Sequence, residues 1–361
     1  MQAHLANRTE APAASSPVDF FETLDRTFRQ AERKAGRAVE RSFLIARKHV
    51  RLRFAGTALA PAVVPGFEHL SIEADGEPDL TVCIWDAQST GVALPRPAWS
   101  GRVYGPRGDV QGFNDERIKT SYCFGAAALS MYDAHRRQAV YCTKDASQLP
   151  SWEKGAPLRT ILHWGLRDYD LQLCHGAALG TPEGGVLLAG KGGSGKSTTA
   201  LRCLQSELLY ASDDYCVVEP GPRPYVHSLY NTAKVNADNV NRVSFLRSAI
   251  TNWERLDTQK ALMFLQQGYP EKLSWGFPIR AVLMPRVTGL PSTTVTQATS
   301  EDAVGALALS TIRQLPGADH WTMKMIKSVT DRVPCFYLEL GTDLDQIPGV
   351  ILDVIAKCGK P

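Results

Sequence analysis

The sequence contains no apolar run of the roughly 18 residues that a membrane-spanning helix needs, and its first residues carry no apolar core typical of secretion signals. Its eight cysteines are scattered without a Cys-x-x-Cys pair or a Cys/His ligand spacing, which excludes a disulfide framework and a zinc motif. The 40 Lys and Arg nearly balance the 37 Asp and Glu, so the basic surplus of a nucleic-acid-binding protein is missing. We therefore expect a cytoplasmic protein with reduced thiols that binds neither membrane nor nucleic acid.

The length of 361 residues and the 44% of hydrophobic residues are sufficient for two globular domains. Residues 1–17 are rich in Ala, Ser, Pro and polar groups, and we expect them to form a disordered tail. Residues 18–150 are predicted to form a mixed α/β domain that serves as a scaffold or docks a substrate. Its first helix should begin near Asp19, with one apolar stripe made by Phe20, Phe21, Leu24, Phe28 and Ala31.

Strand and helix patterns alternate in residues 151–361, which is typical of an α/β domain with a mostly parallel central sheet. Within this second domain a continuous strand is predicted over 171–179 and a helix over 236–250. A continuous strand is also predicted over 43–54 in the first domain. The apolar strand 186–189 is the most informative, because it runs directly into a glycine-rich loop.

This loop, residues 190–197, matches the phosphate-binding pattern G-x-x-x-x-G-K-[ST] at every fixed position. Its glycines let backbone N–H groups converge on phosphate oxygens, and the N-terminus of the next helix adds positive charge. In this pattern the Lys196 ammonium reaches the β- and γ-phosphates, and the Ser197 hydroxyl binds Mg²⁺. The loop therefore predicts a catalytic domain that binds ATP and Mg²⁺.

Two adjacent carboxylates, Asp213 and Asp214, end the strand that follows the predicted loop helix. An acidic side chain at the end of a strand beside the phosphate-binding loop is a typical Mg²⁺ ligand. Two in succession can divide the work, since one can hold the metal while the other accepts a proton from an attacking hydroxyl.

His175 lies fifteen residues before Gly190, in the strand predicted over 171–179. It reaches the phosphate site if this strand and the strand 186–189 are neighbours in the sheet. Cys174 has no basic neighbour other than His175, so we interpret it as a core residue and not as a nucleophile.

Together these features resemble the kinase core of bacterial HPr kinase/phosphorylase, a family that shares its fold with ATP-dependent phosphoenolpyruvate carboxykinases. The segments LRFAG, LTVCIWD, CHGAAL, GKGGSGKSTTA, SDDY and SLYNTAK look like the HPr-kinase-related serine kinases of peptide-modification (lasso-type) gene clusters. This resemblance spans most of residues 40–290. It implies a P-loop kinase core of the HPr kinase/carboxykinase type behind a mixed α/β N-terminal domain.

The resemblance also implies roles for individual residues. The pair Asp213 and Asp214 would supply the catalytic base and a Mg²⁺ ligand in either order, with Asp213 favoured as the base and Asp214 favoured on the metal. Ser197 would also hold Mg²⁺, and His175 would assist beside the transferred phosphoryl group. Arg286 would neutralise phosphate charge, with Lys234 as the alternative. The nucleotide would contact Gly190, Lys191, Gly192, Gly193, Ser194, Gly195, Lys196, Ser197 and Thr198. HPr kinase/phosphorylase itself has Glu where this chain has Thr198, so neither HPr as substrate nor phosphorolysis is expected.

The sequence thus predicts a kinase that uses ATP and Mg²⁺ to phosphorylate a serine, or a similar hydroxyl, of a peptide or protein. A ribosomally made precursor peptide is one such acceptor. Two alternatives stay open, a regulatory P-loop NTPase that senses nucleotide and a small-molecule kinase. A homo-oligomeric state is also compatible with the sequence.

Overall fold

The structure is a computed structural model and describes residues 16–100 and 103–359. It has the mixed α/β class expected from the sequence. The helices in these ranges are α1 (Pro17–Ala35), α2 (Ala60–Val63), α3 (Ala87–Thr90), α4 (Ser151–Lys154), α5 (Arg159–Arg167), α6 (Lys196–Arg202), α7 (Ser300–Ile312), α8 (His320–Thr330) and α9 (Ile347–Cys358). Of the predicted tail, residues 1–15 lie outside the described residues, while Ser16 caps α1 and Pro17 opens it.

Helix α1 begins at a capping box, in which the Ser16 hydroxyl accepts from the Asp19 N–H and the Asp19 carboxylate accepts from the Ser16 N–H. The predicted apolar stripe is confirmed, because its five side chains are at most 3% exposed. They pack on the first sheet in a cluster with Trp85 and Met131. Burial of this stripe fixes the helix on the sheet.

The first sheet consists of seven strands, β1 (Ala38–Ile45), β2 (Lys48–Ala55), β3 (Ser71–Ile72), β4 (Leu80–Asp86), β5 (Ile118–Cys123), β6 (Ala128–Asp133) and β7 (Gln138–Thr143). Their order is β3-β1-β2-β4-β7-β6-β5, with β2, β4 and β7 parallel to one another. The continuous strand predicted over 43–54 is wrong. The chain reverses at Ala46 and Arg47, whose φ angles of 46° and 64° fit a two-residue hairpin turn.

The second sheet contains β8 (Gln172–Cys174), β9 (Ala177–Thr181), β10 (Gly184–Leu188), β11 (Leu209–Ser212), β12 (Cys216–Glu219), β13 (Tyr225–His227), β16 (Gly276–Val287), β17 (Thr294–Ala298) and β18 (Cys335–Leu340), while β14 (Thr232–Val235) pairs with β15 (Ala261–Phe264) apart from it. The mostly parallel sheet predicted here is wrong. Among the described strands of this second sheet, only β10, β16 and β18 run parallel, as neighbours at its centre. Strands β9 and β10 are joined by two residues, too few for the crossover that a parallel pair requires.

Two further predicted elements are interrupted in the structure. The strand predicted over 171–179 breaks at His175 and Gly176, and its halves β8 and β9 pair with different strands, β12 and β10. The helix predicted over 236–250 is instead a run of 3₁₀ turns, Ala237–Ala249, interrupted at Val243 with φ of −127°. Both irregular segments supply side chains to the site described below.

The segment 228–231 joins the two halves of the molecule just before β14. The Asn231 N–H donates to the Gly66 carbonyl at 3.0 Å, and its side-chain amide donates to the Pro65 carbonyl at 2.8 Å. The Tyr230 ring packs on Phe67, with ring centroids 5.2 Å apart. The N-terminal half therefore fixes the position at which β14 begins.

We predict that Phe21→Ala lowers the free energy of unfolding by about 3–5 kcal/mol, because it leaves a cavity between α1 and the first sheet. Gln30→Ala, at an exposed position of the same helix, should change it by less than about 0.5 kcal/mol. Denaturant titration of both variants measures the two values. Equal stabilities of the two variants would contradict this packing of α1.

Candidate functional site

The phosphate-binding pattern lies where β10, in the middle of the second sheet, turns into helix α6. Gly193 and Gly195 have φ angles of +82° and +106°, which other residues rarely adopt. A Cβ atom at Gly195 would lie 2.5 Å from the Leu340 Cδ1 atom on β18. Glycine is therefore required for the loop to curl closely against the sheet.

Lys196 opens α6, and its side chain turns back into the loop. Its Nζ atom donates to the Gly190 carbonyl at 2.6 Å and to the Lys191 carbonyl at 3.2 Å. Burial lowers the pKa of this ammonium, while the nearby charges of Asp213 and Asp214 oppose that shift. The lysine is thus held inside the loop, at the position from which it can bind an anion.

Asp213 follows β11 and is buried behind the loop. Its Oδ2 atom accepts from the Lys234 N–H at 3.0 Å, while its buried Oδ1 atom has no hydrogen-bond partner in the described part of the chain. Burial and the neighbouring charge of Asp214 raise its pKa, and the Lys234 amide and Ser197 hydroxyl lower it in part. The unpartnered Oδ1 atom of this carboxylate is chemically suited to a hard cation.

Asp214 faces the opposite way, into the cavity in front of the loop. Its Oδ2 atom lies 2.5 Å from the Lys234 Nζ atom, and its Oδ1 atom lies 3.0 Å from the His175 Nε2 atom. Burial would raise its pKa, but Lys234 and His175 hold the pKa well below its usual value. Asp214 is therefore ionised at neutral pH.

His175 reaches Asp214 because the chain breaks between β8 and β9. Its backbone N–H donates to the Thr311 hydroxyl at 3.0 Å, and its ring Nδ1 atom is hydrogen bonded to the Ser310 hydroxyl. Both hydroxyl groups belong to α7. The Gln314 amide lies 3.2 Å from the Nε2 atom. These contacts fix the orientation of the ring towards Asp214.

Basic groups dominate the cavity, which has a volume of about 130 Å³. Lys196, Lys234, Arg242 and Lys260 line it, and Asp214 is the single carboxylate among its lining residues. Such a surplus of positive charge favours an anionic occupant. Neither Arg242 nor Lys260 is part of a sequence motif, so only their basic character could have suggested that they belong to the site. Irregular segments of the chain bring them there.

Arg286 is the candidate that the structure does not bring to the cavity. Its guanidinium stacks on the Tyr337 ring, 3.2 Å from the centroid, and lies 3.9 Å from the Glu339 carboxylate. The next residue on β16, Val287, does line the cavity. Successive side chains of a strand point to opposite faces, which places Arg286 away from the loop.

Cys174 is fully buried, and burial raises its pKa well above the usual value, as expected for a core thiol. Within the described ranges no cluster of three His, Cys, Asp or Glu side chains is arranged to hold a metal ion. In the same ranges, each helix is too short or too polar to span a membrane.

No family model and no curated protein matches the sequence. Among solved structures, the Hpr(Ser) kinase/phosphatase from Coxiella burnetii aligns with 52% of this chain and 99% of its own. The two are 11% identical, with a TM-score of 0.30. Because this likeness is too low to carry an argument, the functional conclusions rest on the residues of this chain.

Proposed function

We propose that this chain is a kinase that uses ATP and Mg²⁺ to phosphorylate a serine, or a similar hydroxyl, of a peptide or protein. One observation carries the proposal. The Asp214 carboxylate and the ammonium groups of Lys196 and Lys234 face one cavity beside a phosphate-binding loop. This combination provides cations for a polyphosphate and, next to them, a base for a hydroxyl group.

The loop would hold the triphosphate through its backbone N–H groups and through Lys196. A bound phosphate oxygen replaces the two loop carbonyls that this ammonium now contacts. Arg242 and Lys260, which line the same cavity, would add further positive charge. Charge-assisted hydrogen bonds of this kind are about twice as strong as neutral ones.

Ser197 and Asp213 fit a Mg²⁺ ion better than Ser197 and Asp214 do. The Asp213 Oδ1 atom has no hydrogen-bond partner among the described residues, whereas both Asp214 oxygens are occupied by Lys234 and His175. Mg²⁺ in such enzymes takes one or two protein oxygens and completes its shell with phosphates and water, so no larger acidic cluster is needed. When bound, the ion would offset charge on the phosphate oxygens.

Asp214 would then be the proton acceptor, which reverses the roles assigned to the two aspartates from sequence. In the proposed step the acceptor oxygen attacks the γ-phosphorus, the bond from the γ-phosphorus to ADP breaks, and the hydroxyl proton passes to Asp214. His175 and Lys234 position the carboxylate during this step. General base catalysis of this kind contributes about 10²–10⁴-fold to the rate.

A peptide or protein acceptor, a ribosomally made precursor among them, is proposed because the base is accessible from solvent. The Asp214 side chain is 26% exposed, so a hydroxyl on a large acceptor can reach it without complete enclosure. A regulatory NTPase would use the same cavity with water as the acceptor. The first experiment below separates the two.

We expect Lys196→Ala to reduce phosphoryl transfer by at least about 10²-fold, because the principal cation at the β- and γ-phosphates is lost. The measurement is incubation with γ-labelled ATP, Mg²⁺ and candidate serine peptides, followed by intact-mass analysis. Lys357→Ala, which removes an exposed lysine of α9, serves as the matched control and should retain full transfer.

Two results would contradict the proposal in different ways. Unchanged transfer by Lys196→Ala would show that the loop is not the nucleotide site. Label found only in free phosphate, with every peptide and protein tested, would support the regulatory NTPase instead of the kinase.

Replacing the two aspartates separately tests their roles. Asp214→Asn should leave ATP affinity within about threefold and lower kcat by about 10²–10⁴-fold, because the proton acceptor is lost. Asp213→Asn should instead raise the Mg²⁺ concentration needed for half-maximal activity. Titration of ATP and of Mg²⁺ with each variant gives these values, and the opposite pattern would restore the roles assigned from sequence.

The effect on ATP binding of removing a cation of the cavity can be compared with the effect of removing Arg286, which does not line it. We expect Arg242→Ala to weaken ATP binding about tenfold, because it removes a charge that faces the loop. Arg286→Ala should leave ATP binding within about twofold, since its guanidinium lies on Tyr337. Calorimetric titration with ATP measures both, and a larger loss in Arg286→Ala would contradict the placement of this side chain.

A further inference from the structure

The first half of strand β1 has an open edge. Strand β2 pairs with β1 along its whole length, whereas β3 pairs only with Ser42 and Phe43 on the other side. The Gly56 N–H donates to the Arg37 carbonyl, and bonded and non-bonded pairs alternate along an antiparallel ladder. Ala38 and Glu40 therefore turn their N–H and C=O groups away from β2, and no other described strand pairs with them there. Of these groups, the Glu40 carbonyl accepts from the Arg41 guanidinium at 2.8 Å.

A groove of about 460 Å³ lies beside this edge. One wall is β1 itself, and the other is the segment 60–68, which contributes the apolar side chains of Ala60, Pro61, Val64 and Pro65. An unpaired edge next to a row of apolar side chains is the arrangement that binds an extended peptide as an added strand. Main-chain hydrogen bonds then give affinity, and alternate side chains of the peptide enter the groove.

The charges of the groove indicate which peptide it fits. Arg37 and Arg41 line it and form no ion pair with any residue of the described ranges, whereas the Glu40 carboxylate is paired with Arg53 at 3.3 Å. Glu68 is the remaining carboxylate of the lining. The unpaired charge is therefore net positive, which favours acidic residues in the bound segment.

Packed residues connect the groove with the candidate site. Pro61 also lines a second cavity of about 320 Å³, which extends to Lys154. The next residue, Gly155, is buried against Lys234, because a Cβ atom built on it would be 3.3 Å from the Lys234 Cδ atom. Lys234 in turn contacts Asp214. The groove and the proposed proton acceptor are thus joined by a short series of neighbouring residues.

We propose that the acceptor of the kinase reaction docks through an extended acidic segment that adds as a strand to β1 at Ala38 and Glu40. This inference rests on the proposed function and names the surface that holds its peptide or protein substrate. The apolar side chains of the segment enter the groove beside Pro61 and Val64, and its acidic side chains face Arg37 and Arg41. The serine lies beyond the docked segment, at Asp214.

The test uses the full chain and a fluorescein-labelled peptide in which valine and glutamate alternate before a terminal serine. Fluorescence anisotropy without ATP gives its Kd. Ala38→Pro removes the outward N–H at the first position of the strand, where proline is tolerated, and should raise the Kd at least about tenfold. Ala38→Val keeps the N–H and is the matched control, with an unchanged Kd expected.

A charge test and a backbone test accompany it. The double variant Arg37→Glu, Arg41→Glu should weaken binding at least about tenfold and remove most of its salt dependence. Hydrogen exchange of the wild-type chain should show slower exchange at the Ala38 and Glu40 amides when the peptide is added. This readout is independent of the folding of any variant.

Several outcomes would overturn the docking surface. The first is that the wild-type chain does not bind the peptide, and the second is that Ala38→Pro and Ala38→Val bind it equally. The third is that protection of the β1 amides from hydrogen exchange depends on the protein concentration and not on the peptide concentration. The last would assign the edge to a second copy of this chain. The binding assay contains no ATP, so its result does not depend on phosphoryl transfer. If the chain binds the peptide at β1 but only hydrolyses ATP in the transfer assay, the kinase function is refuted and the docking surface is retained.

Discussion

The ion pair between Asp214 and Lys234, 2.5 Å apart, is the interaction on which the site depends. Without such a partner, the partial burial of this carboxylate would disfavour its charged form and raise its pKa. The same lysine also donates its backbone N–H to Asp213. One residue of β14 therefore fixes both carboxylates at the end of β11, although β14 is not part of that sheet.

The position of β14 is itself set by the N-terminal half of the chain. Asn231, directly before this strand, is bonded to the carbonyls of Pro65 and Gly66, and Tyr230 packs on Phe67. The segment that carries these contacts is also one wall of the groove beside β1. A ligand in that groove would thus contact Pro65, whose carbonyl accepts from Asn231. The N-terminal half is a structural component of the site as well as a surface next to it.

The two carboxylates are adjacent in the sequence, but their electrostatic surroundings differ. Asp213 is enclosed and has a raised pKa, whereas Asp214 is held ionised by a lysine and a histidine. Identical neighbours in the chain thereby acquire different chemistry, because at the bend after β11 their side chains meet different partners. On strand β16, the alternation of side chains brings Val287 to the cavity and turns Arg286 onto Tyr337.

The sequence by itself determined the local features of this protein. The glycine-rich loop, the two aspartates and the apolar stripe of α1 depend on neighbouring residues in the chain, so a pattern identifies them. Tertiary structure alone decided the break at His175, the antiparallel majority of the second sheet, and the arrival of Arg242 and Lys260 at the cavity. Those features arise from strand pairing and from irregular loops, which bring together residues far apart in the chain and leave no periodic signal.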